Sequence, residues 1–321
     1  MKELVTRKLN TKHFFRRAAG LSLGLLFGLW LIVPAEAAEV LRLGLVPVVD
    51  TLPLLAAQEA GLFEKEGLEV RITSFQSALE RDAALQAGRL DGYFGDLLNT
   101  ILLVNAGQKL AILTTAFHTH PRFRVFGLAG SPKSNFKALT DLKGQAVAIS
   151  RATVIEYLLD RMLAAQGLGA DFVVKQEIKQ IPIRMQMLLE GQVASALLPE
   201  PLLTLAEDKG ARVLADDRNL DTCVTVIALN RDRLSQEPTL ASRFRKAYAG
   251  AVQRINQDPG SYKQLLVTKT NFPAGLKDKY QVPIFPPVGL PAEADVAAAR
   301  EWLTANRLIL RTSSYQELVW P

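Results

Sequence analysis

Short apolar runs of strand length alternate along this chain with longer stretches whose apolar residues recur every three to four positions, the pattern of strand followed by amphipathic helix. The first cycle places a strand at Val40–Val46 and a helix at Leu54–Ala60 that Gly61 ends. The second is a strand at Glu69–Ser74 and a helix at Ala78–Ala87, with Gly88 just past its last turn. A third runs from Gly92–Phe94 to Leu97–Ala106 and stops at Gly107, and further strands are expected at Ala111–Phe117 and Val125–Leu128. Together these predict a first lobe. Ser131–Gly144 is polar, holds Pro132 and Gly144 and shows no period, so a crossover out of that lobe is expected there. The alternation resumes with strand Ala146–Ile149, helix Val154–Gln166, strand Phe172–Gln176 and helix Ile183–Glu190. Strand Ala194–Leu198, helix Leu202–Lys209 and strand Ala211–Ala215 complete a second lobe, again with parallel strands expected. Cys223–Leu229 alternates and is rich in Val and Thr, as suits a strand returning to the first lobe. Pro238–Gln257, Pro259–Val267 and Ala292–Asn306 read as helices that pack around the lobes and brace the hinge.

The N-terminus breaks this rhythm. Lys2, Arg7, Lys8, Lys12, Arg16 and Arg17 precede an apolar run from Ala18 to Val33, followed by Pro34 and the small-residue triplet Ala35-Glu36-Ala37. That order is a secretory signal peptide, with cleavage expected after Ala37. The alternative is an uncleaved anchor, although the run falls short of the roughly 18–20 residues of a spanning helix. Phe15 before the Arg16-Arg17 pair and Ala18-Ala19 after it depart from a twin-arginine signal, so ordinary export is expected. Cys223 is the single cysteine and lies far from this segment, which excludes an internal disulfide and an N-terminal lipid anchor. A protein free in the periplasm follows. Residues 1–37 carry six of the 38 basic and two of the 32 acidic side chains, so without them the formal charge falls from +6 to +2. No nucleic-acid footprint remains, because the rest of the chain shows neither a basic stripe nor a binding motif. The remainder is too long for one typical core and suits two lobes. The expected division is residues 1–37 as signal, 38–130 as the first lobe, 131–222 as the second, and 223–321 as the return to the first lobe with C-terminal helices.

In open sheets of this kind the loops leaving the carboxyl ends of the strands converge on a crevice. Here these are Val46–Pro53, Phe75–Ser77, Gly95–Asn99 and the less clear Phe117–His120 from the first lobe, and Ser150–Thr153 and Leu198–Pro201 from the second. Thr153 and Glu156 form a Thr-x-x-Glu capping box, and the amides before that helix could hold an anion beside Arg151. Glu156 already supplies a negative group there, so plain capping is an equal reading. Asp50, Asp96 and Glu200 all fall in crevice loops, which favours an amine, amidine or aminopyrimidine over a sulfonate. Each could instead cap a helix. His118-x-His120 lacks the third ligand that zinc needs, so no metal is expected, and no other cofactor. Phe75, Tyr93, Phe94 and Phe117 suit either stacking on a flat ligand or core packing. No nucleophile and base pair assembles from these residues, so the chain is expected not to be an enzyme.

Three segments carry a family pattern: Leu41-Arg-Leu-Gly-Leu, Leu52-Pro-Leu-Leu-Ala-Ala-Gln, and Ala60-Gly-Leu-Phe-Glu-Lys-Glu-Gly-Leu-Glu-Val. Ala87-Gly-Arg-Leu-Asp-Gly, Asp141-Leu-Lys-Gly-Gln-Ala-Val-Ala-Ile-Ser and Glu190-Gly-Gln-Val-Ala-Ser-Ala-Leu-Leu-Pro-Glu-Pro follow in order. The chain resembles the sulfonate, nitrate, taurine and thiamine-pyrimidine group of periplasmic ABC-transporter solute-binding proteins. That resemblance implies an α/β type II periplasmic-binding fold: two doubly wound lobes joined by crossover strands, with helical C-terminal bracing. It also implies a monomer that closes on a small-molecule ligand and docks on an inner-membrane ABC permease with its ATPase, without catalysis. A ligand-sensing protein, or a biosynthetic enzyme on the same fold, is the alternative. Carried onto this chain, the binding regions give Asp50, Thr51, Gln76, Ser77 and Asp96 in the first lobe and Ser150, Thr153 and Glu200 in the second, with Arg151 beside them. Gly191-Gln-Val-Ala-Ser departs from the relatives' Gly-x-x-Asp-Ala, so the resemblance does not transfer a named ligand.

Overall fold

In the computed structural model, residues 39–270 and 272–321 are described; the expected signal peptide and its cleavage after Ala37 lie outside them. Strand–helix alternation builds the first sheet from β1 (Glu39–Leu45), β2 (Leu68–Ser74), β3 (Gly92–Asp96) and β4 (Leu110–His118). The second uses β5 (Phe126–Gly130), β6 (Ala146–Ile149), β7 (Val174–Glu177), β8 (Ser195–Pro199) and β9 (Arg212–Asp216), and β10 (Cys223–Asn230) returns to the first. The strand orders are β2-β1-β3-β10-β4 and β7-β6-β8-β5-β9. In each sheet the fourth strand in that order, β10 or β5, is antiparallel to both neighbours while its companions run parallel. The two lobes therefore share one plan, and each inserts into its sheet the strand that arrives directly from the other lobe.

This corrects two expectations. The strand expected at Val125–Leu128 in the first lobe is β5, which lies between β8 and β9 in the second sheet. The outward crossover is accordingly residues 119–125 and not 131–144, so the second lobe starts earlier than residue 131, and its strands are not all parallel. The physical reason is that β5 is buried along its whole length, so it lacks the alternation that would mark its surroundings. Ser131–Gly144 is polar because it runs over the second lobe's surface through a short 3-10 turn, Leu139–Leu142. The Asp141 carboxylate accepts there from the Lys137 and Ala138 amides at 2.7 and 3.0 Å.

The two crossovers, residues 119–125 and 217–222, run side by side. Thr119 N–H donates to the Thr222 carbonyl at 3.0 Å, and Thr222 N–H returns a bond to Thr119 Oγ1 at 2.9 Å. At the other end the buried Asp217 carboxylate accepts from Val125 N–H at 3.1 Å. The C-terminal chain braces this joint. Helix Leu240–Gln257 lays a buried stripe, including Phe244, Tyr248, Val252 and Ile255, on the first lobe, where Phe244 packs on Phe63 with ring centroids 5.1 Å apart. Each such buried side chain contributes about 1.5–3 kcal/mol. Helix Glu293–Ala305 reaches the second lobe: Trp302 meets Tyr157 edge-on at 5.7 Å and donates from Nε1 to Asp160 at 3.0 Å.

Candidate ligand-binding cleft

The carboxyl ends of β1, β3, β6 and β8 face one cavity between the sheets, with an empty volume of about 560 Å³, part of it open to solvent. Its apolar walls include Phe94 on β3 and Phe126 on β5, one from each lobe. Its charged and polar lining comprises Asp50, Arg81, Asp96, Ser150, Thr153, Lys179, Arg184 and Thr225.

Asp50 sits in a 3-10 turn, Val49–Thr51, that follows β1. Its side chain caps no helix and is fully buried. One carboxylate oxygen accepts from Thr225 Oγ1 on β10 at 2.8 Å; the other, Oδ1, is buried with no hydrogen-bond partner among the described residues. Burial pushes the carboxyl up to about 6, against the pull of the Thr225 bond. A buried polar atom without a partner costs about 1–3 kcal/mol, so such a group points to something that completes it. The Tyr248 hydroxyl is likewise buried without a partner, and the charge of Asp50 adds to burial in pushing that phenol's pKa up.

Asp96 ends β3 and caps helix Leu97–Asn105, accepting from Asn99 N–H at 2.6 Å. Burial raises it to about 6, opposed by the Asn99 amide, by Arg81 and by the Val154 amide from the other lobe. The first turn of helix Val154–Ala164 is thus already supplied with negative groups. Thr153 Oγ1 accepts from Ile155 N–H at 3.2 Å and Glu156 accepts from Ala152 N–H at 2.8 Å.

Two arginines complete the lining, one from each lobe and at matching positions of the repeated plan. Arg81 lies on helix Ala78–Gln86 and donates to the carbonyl of Phe94, thirteen residues on, in β3. Arg184 lies on helix Ile181–Leu189 and donates to the carbonyl of Leu197, also thirteen residues on, in β8. Their charges are handled differently. Arg81 grips the carboxylate of its neighbour Asp82 through Nε and a terminal nitrogen, at 3.0 and 2.7 Å. Arg184 is followed by Met185, is fully buried, and bonds only to backbone, with two bonds to the Ile178 carbonyl at 3.0 and 2.8 Å. Burial without a carboxylate pulls its pKa down to about 9.

The remaining sequence-predicted residues fall elsewhere. Thr51 is buried, with its hydroxyl donating to the Val48 carbonyl at 2.6 Å. Ser77 caps helix Ala78–Gln86 through Glu80 N–H at 3.3 Å. Gln76 is exposed and borders an adjoining hollow with Phe75, Ile181 and Glu200. Glu200 is buried between Arg124 Nε at 3.1 Å and Thr204 N–H at 3.0 Å, and its carbonyl accepts from Val49 N–H across the lobes at 3.2 Å. Arg151 points outward to the Lys175 carbonyl at 2.9 Å. Tyr93 packs under Arg81 and Phe117 against Phe285, so both are core, while Phe94 reaches the cleft. His118 and His120 are separately engaged, by Thr119 and Arg122. Sequence reasoning missed Arg81, Arg184, Thr225 and Phe126. The available signal was an arginine four residues before a buried leucine, Arg81 before Leu85 and Arg184 before Leu188, which places each on the inward face of its helix.

Residues 34–266 match the sequence model of the NMT1-like family. A Bacillus subtilis (strain 168) protein named as an aliphatic sulfonates-binding protein is 29% identical over 208 residues, 62% of this chain. The match spans 61% of that relative's length. The alkanesulfonate-binding protein SsuA of Xanthomonas axonopodis pv. citri, solved bound to MOPS, superposes with a TM-score of 0.75 at 20% identity, over 89% of this chain and 99% of that one. The desulfurization enzyme DSZB superposes with a TM-score of 0.64 at 18% identity, over 88% and 96%. These superpositions establish the two-lobed periplasmic-binding-protein fold, and that fold carries both binding proteins and an enzyme.

Proposed function

The chain belongs to the NMT1-like family, and from that premise we propose that it is the solute-binding component of an ABC import system, holding a small molecule between its two lobes. The observation that carries this is Asp50, a fully buried carboxylate in the cleft with one oxygen unpartnered among the described residues. A ligand donor completing that oxygen while touching the opposite lobe favours the closed arrangement over the open one, and differential affinity of this kind drives closure. The closed form is then the one that an inner-membrane permease and its ATPase receive, with the protein a monomer in the periplasm.

The lining supports binding without turnover. It offers no histidine or cysteine among the described residues, and both of its threonine hydroxyls are held: Thr153 donates to the Ser150 carbonyl at 2.8 Å, and Thr225 to Asp50. The role is tested by thermal unfolding of the purified protein against aminopyrimidines, alkylsulfonates, taurine, nitrate, polyamines and amino acids. One class should raise the midpoint, since a ligand at a hundredfold its Kd stabilises by about 2.7 kcal/mol, and should be recovered unchanged. A flat response across the panel, or conversion of the solute, contradicts the proposal.

A further inference from the structure

The two buried charges left uncompensated in the cleft have opposite sign and belong to opposite lobes. Arg81 and Arg184 occupy matching places in the repeated βα plan and make matching bonds to β3 and β8. In the first lobe the cation is neutralised by the next residue, Asp82; in the second that carboxylate is replaced by Met185. A guanidinium presents five N–H groups; Arg184 engages two backbone carbonyls through three nitrogen–oxygen bonds, which leaves donors over as well as charge. Across the cavity Asp50 keeps one oxygen without a donor among the described residues. The other charged groups of the lining are spoken for or peripheral: Asp96 holds Asn99 N–H and faces the Val154 amide, and Lys179 is exposed on the rim, 3.7 Å from Glu177. Burying an ion without a counter-charge is costly, and two such ions lining one cavity are best satisfied together by a ligand carrying both complements.

Resting on the solute-binding reading above, we infer that the solute is dipolar, with an N–H-bearing cationic end on Asp50 of the first lobe and an anionic end on Arg184 of the second. Such a molecule spans the lobes by its own charge separation, and either half alone satisfies only one wall. Phe94 and Phe126 flank an apolar middle. Singly charged solutes of the same size leave one buried ion exposed to the emptied cleft and so bind less well.

The test is isothermal titration calorimetry of the full chain at pH 7.5 with glycine, β-alanine, 4-aminobutyrate and taurine. The N-acetyl form of each, the methyl esters of the three carboxylates, and nitrate and alkylsulfonates serve as singly charged probes. The expected result is that at least one zwitterion binds and that blocking either end weakens it by tenfold or more. Asp50→Asn should abolish the penalty for N-acetylation, so that parent and acetylated forms bind alike; Arg184→Gln should do the same for the ester. Should Arg184→Gln fail to fold, the ester comparison on the unaltered protein decides that end. Equal binding of parent and N-acetylated forms to the unaltered protein overturns the inference and means that Tyr248, not a ligand, completes Asp50. Tighter binding of nitrate or an alkylsulfonate than of any zwitterion also overturns it, while leaving the solute-binding reading intact. Silence from every zwitterion overturns the inference, and the wider thermal-unfolding panel above then decides the solute-binding reading separately.

Discussion

Asp50 is where physical chemistry and function meet at the scale of a single residue. Its carboxyl titrates near 6 in the folded chain, against an ordinary value of 3.8, because burial penalises the anion. A group whose folded pKa is raised contributes stability that is fully present below the unfolded value and is lost as pH rises through the folded one. For Asp50 that loss runs from about pH 4 to above pH 6, and the shift corresponds to about 3 kcal/mol. Asp50→Asn should therefore be more stable than the unaltered, ligand-free protein at pH 8, by roughly 1–3 kcal/mol, with the advantage fading at pH 4. Urea unfolding at the two pH values checks this, and equal stability at pH 8 would show that the carboxylate is already compensated. The sequence placed Asp50 in a crevice loop, but whether such a residue caps a helix or faces a cavity depends on a partner such as Thr225, far along the chain, which no local pattern reveals. Arg184 was illegible for the opposite reason: an arginine on a helix is ordinarily solvated, and only its spacing from Leu188 hints otherwise.

Secondary-structure elements were legible where periodicity and punctuation agree. Gly61, Gly88 and Gly107 close their turns in left-handed conformations, and the helices before them end within one or two residues of expectation. β5 was harder, since a strand buried on both faces does not state which sheet receives it, whereas β10 joins the first lobe's sheet as expected. Strand placement depends on contacts such as the one at Gly92, where a Cβ would stand 2.4 Å from the Ala228 carbonyl oxygen of β10. Gly92→Ala should force β3 and β10 apart and destabilise the protein by about 1–3 kcal/mol or more, read as a lower urea midpoint. A midpoint unchanged by this substitution would mean that the β3–β10 register is wrong, and with it the placement of Asp96 and Thr225 on adjacent strands.

At the scale of the molecule, alternating strands and helices over a length beyond one core announced two lobes, and the segments quoted above announced the family. The pattern announced the return of β10 but not the passage of β5 into the second sheet, because strand order in a sheet is a long-range outcome. That exchange of strands sets two crossovers side by side, joined by Thr119 with Thr222 and Val125 with Asp217. Across the cleft itself, the lobes meet through few polar contacts, among them Gln180 Nε2 to Glu80 Oε1 at 3.3 Å. A clamp of this kind closes on its ligand, and small-angle X-ray scattering of the purified protein, with and without a solute that raises its unfolding midpoint, measures that closure. The radius of gyration should be smaller with the solute bound and should return to the larger value with Asp50→Asn at the same solute concentration. An identical scattering profile in the free and bound states would contradict closure.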